Sequence, residues 1–348
     1  QEITFGTLYG EFPVPVRSGY EFVGWFDNPQ GGLQYRSYFT VDRDYNRVLY
    51  AQWVPKNYTL TFDAQGGQVS TSSKLISYDG QYGEFPVPTR AGYDFLGWYD
   101  SPTGGLWFAS YYTVDRPYDQ TFYAQWVPKT YTLFFEPQGG QLVTTNKQVT
   151  FGTLYGDYPV PQKVGYEFLG WYDSPIGGLR YMDYYTVEQA YDHTLYAQWA
   201  PRNYILSFDP TGGEVSISNK RVTYGTLYGE YPVPTRTGYE FLGWYDSPTG
   251  GLQYREYFTV EQAYDQTLYA RWKANNYVVS FEKQGGTGDA EKIQVTFDEA
   301  YGELPALSKT GYVFGGWKTE DGTVVTESSA VHIAANHTLY AEWEPVTV

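Results

Sequence analysis

Apolar and polar residues alternate within short segments of the chain. The segment 58–62 reads Tyr-Thr-Leu-Thr-Phe, and the segment 195–199 reads Leu-Tyr-Ala-Gln-Trp. A period of two predicts a half-buried β-strand, because successive side chains of a strand point to opposite faces of the sheet. Each segment therefore predicts a strand with one apolar face, which carries Leu, Ala and Trp in the second case.

These patterns recur at a fixed spacing. A Gly-Trp pair preceded by Gly-Tyr-x-Phe begins at Gly24, Gly97, Gly170, Gly243 and Gly316, in steps of 73 residues. A closing Leu/Phe-Tyr-Ala-x-Trp motif ends at Trp53, Trp126, Trp199, Trp272 and Trp343, and its last step is 71 residues. Self-similarity at such a period indicates a repeat architecture. We predict five modules: repeat 1 (1–57, without its opening strand), repeat 2 (58–130), repeat 3 (131–203), repeat 4 (204–276) and repeat 5 (277–348, a shorter form plus a C-terminal strand).

Further elements are predicted between the opening and closing strands of a full module. A Gly-Gly turn, as at 66–67, follows the opening strand, and a second strand is predicted at 147–151 in repeat 3. Two prolines one residue apart, as at 86–88, cannot lie inside a sheet and predict an extended connector or an edge strand. The Gly-Tyr-x-Phe-x-Gly-Trp motif predicts a third strand, and the following Asp-Ser-Pro-x-Gly-Gly predicts a tight turn. The segment Tyr111–Tyr118 fits either a short strand or a single helical turn.

The modules are joined by short linkers. Only four residues separate each closing Trp from the next opening Tyr, as in 54–57 and 127–130, and three of the four linkers contain Pro. Such linkers restrict the angle between neighbouring modules. The predicted fold class is therefore mainly β, a tandem array of small modules that forms an elongated, semi-rigid rod stabilised by the modules and their interfaces.

Composition excludes several classes of function. The chain contains no Cys, which excludes disulfides, a thiolate nucleophile and sulfur-ligated metal sites. Its formal net charge is -16, and its Lys and Arg residues are scattered singly, so nucleic acid is not a predicted partner. No apolar run reaches the roughly 18 to 20 residues that span a bilayer. We predict no membrane span in this chain and no cofactor.

The titratable residues form no predicted catalytic or metal site. His193 and His337 occupy a position where repeats 2 and 4 carry Gln120 and Gln266, which favours surface placement over catalysis. Four aspartates precede Ser-Pro or Asn-Pro, where a turn-forming role is favoured over metal binding. They are Asp27, Asp100, Asp173 and Asp246. The chain is therefore predicted not to be an enzyme.

Aromatic residues make up 20% of the chain and include 39 Tyr. A module of this size buries some of its Tyr and Trp, because it has few other large apolar side chains. Adjacent aromatic residues of a strand point to opposite faces, so one of each pair is predicted to face outward. Outward rings suit packing against another rod or stacking on a sugar, and we favour packing. The candidate aromatic surface comprises Tyr38, Tyr45, Tyr112, Tyr118, Tyr185, Tyr191, Phe258 and Tyr264.

The ordered motifs resemble a known family. The succession Tyr-x-Leu-x-Phe, Gly-Gly, Tyr-Gly, Pro-x-x-x-Gly-Tyr-x-Phe-x-Gly-Trp and Leu-Tyr-Ala-x-Trp is similar to the Listeria–Bacteroides repeat, the module of the B-repeats of internalin-like surface proteins. This resemblance covers essentially the whole chain. It implies a small β-grasp-like module of extracellular or cell-surface bacterial proteins, used as a spacer or an interaction segment. Repeats 1 to 4 depart from the family pattern by a longer Tyr-rich segment, whereas repeat 5 has the usual length.

The two ends of the chain suggest self-association. Gln1 aligns with Lys147, so repeat 1 lacks an opening strand and a Gly-Gly turn, and the residues after Trp343 resemble the start of another opening strand. A module without one strand exposes backbone groups that can pair with a strand from another chain. We hypothesise head-to-tail assembly by strand donation; the alternative is a piece of a longer array, consistent with a first residue other than Met. The candidate assembly residues are Ile3, Thr4, Phe5, Val346, Thr347 and Val348.

Together these observations predict a non-enzymatic structural repeat protein of the bacterial surface or exterior, serving as a stalk or a filament subunit. The expected partners are other copies of the chain or a host or cell-surface macromolecule. The alternative is an adhesin-type array whose repeated Tyr-rich segments bind glycan or host protein, with avidity from several weak sites.

Overall fold

A computed structural model describes residues 1–347 of the 348-residue chain. The described residues form 22 strands and no helix, which confirms the mainly β class and the tandem sheet modules. The chain divides into two compact units: residues 1–136, 143–159 and 171–196 form the first, and residues 137–142, 160–170 and those from Ala197 onward form the second. Repeats 1 and 2 lie in the first unit and repeats 4 and 5 in the second, and repeat 3 contributes to both.

The strands follow the repeats. Repeat 1 contains β1 (Tyr20–Phe26), β2 (Gln34–Tyr35) and β3 (Tyr50–Pro55). Repeat 2 contains β4 (Asn57–Asp63), β5 (Ser73–Ser77), β6 (Tyr93–Tyr99), β7 (Trp107–Phe108) and β8 (Gln120–Pro128). Repeat 3 contains β9 (Thr130–Glu136), β10 (Asn146–Thr150), β11 (Tyr166–Tyr172), β12 (Arg180–Tyr181) and β13 (His193–Pro201). Repeat 4 contains β14 (Asn203–Asp209), β15 (Asn219–Thr223), β16 (Tyr239–Tyr245) and β17 (Gln266–Ala274). Repeat 5 contains β18 (Asn276–Glu282), β19 (Ile293–Thr296), β20 (Tyr312–Lys318), β21 (Val324–Val325) and β22 (His337–Pro345).

Repeat 2 has the sheet arrangement of a full module. Its opening strand β4 pairs antiparallel with β5 and parallel with the closing strand β8. On its other side β8 pairs antiparallel with β6, which pairs with β7 at the sheet edge. The order is thus β5-β4-β8-β6-β7, and repeat 5 has the equivalent order β19-β18-β22-β20-β21. The parallel opening and closing strands at the sheet centre agree with the β-grasp-like expectation, although no helix occurs among residues 1–347.

Repeats 1 and 4 vary this arrangement. Repeat 4 forms the four-stranded sheet β15-β14-β17-β16, with an isolated bridge from Tyr245 to Gln253 where other repeats have their last short strand. Repeat 1 forms the three-stranded sheet β2-β1-β3. In repeat 3, β9 pairs antiparallel with β10 and parallel with β13, and β11 pairs with β12.

The predicted apolar faces form the module cores. In repeat 2, Leu60 and Phe62 of β4 are buried together with Phe122 and Ala124 of β8, and Tyr58 packs against the same cluster. Repeats 4 and 5 have equivalent clusters. The buried cluster of repeat 1 is small, since it comprises Tyr9, Tyr35 and Val41 with three partly buried neighbours. A core this small leaves repeat 1 with less apolar burial than the full modules.

A β-bulge interrupts the strand that carries the Gly-Trp pair. Phe95 pairs with Trp126 and Gly97 pairs with Gln125, so Leu96 is an extra residue in β6. Gly97 has φ +145°, a conformation that residues with a Cβ rarely adopt. The extra residue resets the alternation, so Phe95 and Trp98, three positions apart, face the same core with ring centroids 5.5 Å apart. The same register shift occurs in β1, β16 and β20.

The Tyr-rich segment of repeats 1 to 4 is a turn. In repeat 2 the turn leads to an isolated bridge between Thr113 and Gln81, after which Val114 is buried. The segment Tyr111–Tyr118 is therefore neither a continuous strand nor a helical turn. Among residues 1–347, no helix is long and apolar enough to cross a bilayer.

Candidate functional site: the joints between repeats

A single residue separates the closing strand of one repeat from the opening strand of the next. Between β8 and β9 this residue is Lys129. Its N–H donates to the carbonyl oxygen of Gly92 in repeat 2 (2.9 Å), and its own carbonyl accepts from the N–H of Phe151 in repeat 3 (2.9 Å). Both backbone hydrogen-bonding groups of the linker residue are thus satisfied, one by each neighbouring repeat.

An aromatic ring of the following repeat lies over a glycine of the preceding one. Gly92 has φ +79°, and a Cβ built on it would lie 2.4 Å from the ring of Phe151. The same ring packs edge-on against Tyr93, with centroids 5.4 Å apart and planes at 75°. Only glycine satisfies both the backbone conformation and the close approach of the ring.

A cation lies over the tyrosine ring of the joint. The guanidinium of Arg90 lies 4.1 Å from the centroid of the Tyr93 ring, a distance typical of a cation–π interaction. The joint between repeats 2 and 3 therefore consists of a cation, a tyrosine, a glycine and an aromatic ring, held by two backbone hydrogen bonds. The recurrent Gly-Tyr motif of the sequence lies at its centre.

The other three joints repeat this geometry. Each has a linker residue bonded on both sides at 2.8–3.0 Å, a ring over glycine, and ring centroids 5.4–5.7 Å apart. A cation lies 3.8 to 4.6 Å from the tyrosine ring. The joints contain Arg17, Gly19, Tyr20, Lys56 and Tyr78; Lys163, Gly165, Tyr166, Arg202 and Tyr224; and Arg236, Gly238, Tyr239, Asn275 and Phe297. The last joint lacks a linker proline, so proline is not required for this geometry.

Two of the four joints contain one more contact. The hydroxyl of Tyr20 donates to Asp79 (2.6 Å), and the hydroxyl of Tyr239 donates to Asp298 (2.8 Å). These hydrogen bonds raise the pKa of both tyrosine hydroxyls, because loss of the proton would place two negative charges together. Glycine stands at the aspartate position in the middle joints, as Gly152 and Gly225. The joint between repeats 1 and 2 and the joint between repeats 4 and 5 thus each contain one additional hydrogen bond between side chains of the two repeats.

Several of the residues predicted for assembly align with residues of the joints. Ile3 and Phe5 are exposed, Thr4 lies beside them, and Phe5 aligns with the joint ring Phe151. At the other end, the N–H of Val346 donates to Gly311 (3.0 Å), as a linker residue does. Thr347 is exposed, and Val348 lies outside the described residues. Among residues 1–347, no atom lies within 4 Å of a Cβ built on Gly311.

The predicted aromatic surface divides into two groups. Tyr38, Tyr45, Tyr112, Tyr118, Tyr191 and Tyr264 are exposed, whereas Tyr185 and Phe258 are half-buried. The two half-buried rings pack on core Tyr181 and Tyr254. In those adjacent pairs the outward ring belongs to Tyr184 and Tyr257. The sequence predicted one outward ring in each pair, but strand alternation does not identify which one where the chain turns.

The histidines have a structural role that corrects the predicted surface placement. His193 and His337 are half-buried, and their Nε2 atoms lie 3.0 and 2.7 Å from the hydroxyls of Tyr155 and Tyr301. In repeats 2 and 4 the same position carries Gln120 and Gln266, whose Oε1 atoms accept from the hydroxyls of the core tyrosines Tyr82 and Tyr228. Burial raises the pKa of all four hydroxyls. His and Gln interchange because both offer a hydrogen-bond acceptor.

The recurrent aspartates form turns. The Oδ1 atom of Asp100 accepts from the N–H of Leu106 (2.8 Å), and the equivalent aspartates do the same. This backbone hydrogen bond, together with the ion pair to Arg116, lowers the pKa of Asp100. Among residues 1–347, no group of three or more His, Asp or Glu side chains is placed to hold a metal ion.

Comparison with known families identifies the repeated unit. Residues 1–52, 58–125, 131–198, 204–271 and 277–342 match the Listeria-Bacteroides repeat domain. The chain belongs to this family. Its Listeria–Bacteroides repeats thus account for nearly the whole sequence, as the ordered motifs predicted.

Several curated proteins share these Listeria–Bacteroides repeats. A protein of Evansella cellulosilytica described as a Gly-rich membrane protein is 30% identical over 347 residues, which covers 94% of this chain and 39% of that protein. A second protein of this organism, described as a membrane protein, is 31% identical over 311 residues, covering 85% and 45%. Internalin H of Listeria monocytogenes is 37% identical over 149 residues, covering 42% and 26%. The chain spans less than half the length of each relative.

Proposed function

We propose that this chain is a non-enzymatic spacer of the bacterial cell surface, a stalk segment built from Listeria–Bacteroides repeats with fixed angles between neighbours. The observation that carries the proposal is the recurrence of one joint geometry at all four repeat boundaries. In each joint two backbone hydrogen bonds and a ring over glycine restrict the two repeats that it connects. A spacer needs such restriction, because a flexible chain of the same length spans a much shorter mean distance.

The surface location rests on the relatives. Internalin H and the two membrane proteins of Evansella cellulosilytica contain similar repeats within longer chains. The net charge of -16 suits a role outside the cell, since repulsion between acidic surfaces keeps neighbouring chains apart. Strands, turns and joints use most of the recurrent motifs, which supports a structural role for them.

Single-molecule energy transfer tests whether a joint fixes the angle between repeats. The chain has no Cys, so Val14→Cys and Val87→Cys provide two unique dye sites at equivalent exposed positions of repeats 1 and 2. We expect one narrow transfer distribution. Tyr78→Ala should broaden it, because the ring over Gly19 and its contact with Tyr20 are lost. Leu75→Ala, an exposed change in the same repeat, should leave it narrow, and a broad distribution in the parent protein would refute the spacer.

Head-to-tail self-association through residues 3–5 and 346–348 stays a separate proposal. Phe5 and Gly311 offer the ring and the glycine of one more joint. Contacts of this head-to-tail kind grow filaments unless they close into a ring. Sedimentation velocity should then show association that increases with protein concentration and is abolished by Phe5→Ala. Deletion of residues 346–348 should have the same effect, and a monomer at all concentrations would contradict the proposal.

A further inference from the structure

Repeat 2 carries a tryptophan that the repeated architecture does not use. Trp107 lies in the edge strand β7 and is 47% exposed. The aligned residues of the other four repeats are Gln34, Arg180, Gln253 and Val324. The ring lies beside the bulge glycine Gly97, whereas Gln34 and Gln253 at this position donate to the backbone carbonyl before the glycine. An exposed indole in place of a glutamine that bonds the backbone adds no burial to the module core.

The indole of Trp107 has no hydrogen-bond acceptor within residues 1–347. Every Gly-Trp tryptophan donates its Nε1–H to a proline carbonyl, as Trp98 donates to Pro86 (2.9 Å), and the closing tryptophans of repeats 2 to 5 donate to the turn after the opening strand. The exposed ring of Trp107 thus combines an open apolar face with an unused donor. Side chains of this character are enriched where proteins bind partners.

Trp107 is one wall of an open cleft of about 610 Å³. Tyr111 and Tyr112 complete the aromatic wall: Tyr112 packs edge-on against Trp107 (6.0 Å) and against Tyr111 (5.1 Å). This volume lies in the range of small-ligand sites. The equivalent cleft of repeat 3 is lined by Tyr184 and Tyr185, and Arg180, which aligns with Trp107, does not line it.

Polar groups of repeat 2 face the same cleft. Asp115 is exposed, and its carboxylate has no hydrogen-bond partner among the described residues. Arg116 is held in place by Asp100 (2.9 Å) and lies 4.9 Å from the ring of Phe108. Repeats 3 and 4 carry Gln189 and Gln262 at this position. Repeat 1 carries Arg43, which donates to the hydroxyl of Tyr45 (2.6 Å). An aromatic wall beside a free acceptor and a positioned donor is a small site with convergent polar groups.

We propose that this Trp107 cleft binds a neutral oligosaccharide. A hexose ring offers an apolar C–H face to the indole and hydroxyl groups to Asp115, Arg116 and the free Nε1–H. The net charge of -16 disfavours sialylated and sulfated chains, which carry the same sign. The site is distinct from the joints, so its failure leaves the spacer proposal untouched.

Fluorine NMR of the full chain labelled with 5-fluorotryptophan tests this proposal. The Trp107 resonance is the one missing from Trp107→Gln, the residue that repeats 1 and 4 carry at this position. The probes are cellotetraose, chitotriose, mannotriose and lacto-N-tetraose, with sialyllactose and a heparin tetrasaccharide as anionic comparisons. We expect at least one neutral probe to shift this resonance at about 10 mM, a concentration that saturates a site with a Kd of about 1 mM.

Matched variants locate the binding. Calorimetry with the active probe should show about a tenfold loss of affinity in Trp107→Gln and in Tyr111→Ala, as for central contacts of an interface. Tyr184→Ala, the same change in repeat 3, should have no effect. Trp107→Phe should retain part of the affinity, which separates lost stacking from misfolding. No shift with any neutral probe, preference for the anionic probes, or full affinity in Trp107→Gln would each overturn the proposal.

Discussion

Gly92→Ala is expected to open the joint between repeats 2 and 3, with a loss of local stability of about 2–4 kcal/mol. Part of this cost is the backbone, because φ at Gly92 is +79°. The remainder is steric, because the new Cβ would lie 2.4 Å from the ring of Phe151 and must displace it. Hydrogen exchange of the Lys129 and Phe151 amides, which form the two backbone bonds of the joint, should accelerate by at least about tenfold.

Gly311→Ala provides the matched control. Gly311 has the same φ of +79°, and no atom of residues 1–347 lies within 4 Å of the new Cβ, so this variant measures the backbone cost alone, about 1–2 kcal/mol. Exchange of the Val346 amide, which donates to Gly311, is the corresponding measurement. In the double variant Gly92→Ala/Phe151→Ala, the steric part of the stability loss should disappear, because the ring that the new Cβ would meet is absent. Equal acceleration in the two glycine variants would show that the ring does not restrict the joint.

Trp98→Ala is expected to destabilise repeat 2 by about 3–5 kcal/mol, the usual cost of deleting a large buried aromatic side chain. Trp98 is 2% exposed, packs against Phe62 (4.8 Å) and donates to the carbonyl of Pro86 (2.9 Å). The substitution removes the ring contacts and leaves the proline carbonyl without its donor. Amide exchange in β4 and β6 should accelerate by several hundredfold or more, while β14 and β16, which belong to the separate core of repeat 4, should be unchanged.

Trp107→Ala in the same repeat tests whether the loss of stability depends on the burial of the tryptophan or on the residue type alone. It removes an identical side chain that is 47% exposed and has no protein acceptor among the described residues, so its effect should stay within about 0.5–1 kcal/mol. Comparable destabilisation by the two tryptophan variants would contradict the placement of Trp98 in the core and of Trp107 at the surface.

Local patterns of the sequence determined much of the module. The alternation at 58–62 and in the closing motif predicted strands β4 and β8 and their buried faces, because a strand has a side-chain period of two whatever it packs against. The 73-residue spacing predicted the tandem organisation, and the Pro-x-Pro stretch predicted an extended connector. The Asp turns were predictable because their hydrogen bonds join residues six positions apart.

Alternation failed where the backbone departs from the regular strand. Phe95 and Trp98 should lie on opposite faces of an ideal strand, and only the bulge at Leu96 places both in the core. The structure of the Tyr-rich segment was ambiguous for a similar reason. Its side chains are oriented by a turn, which leads to the bridge between Thr113 and Gln81. His193 was misplaced at the surface because its partner, Tyr155, lies 38 residues away.

The sequence by itself thus determined the β class, the repeat and the short linkers, which depend on backbone periodicity and spacing. The tertiary structure alone decided the joint, because the ring of Phe151 meets Gly92 across 59 residues and two repeats. It also decided which aromatic side chains are exposed. Trp98 and Trp107 are the same residue type nine positions apart, and only the sheet topology buries Trp98 and leaves Trp107 at the sheet edge. Local patterns report local geometry, whereas contacts between distant segments depend on how the strands are ordered.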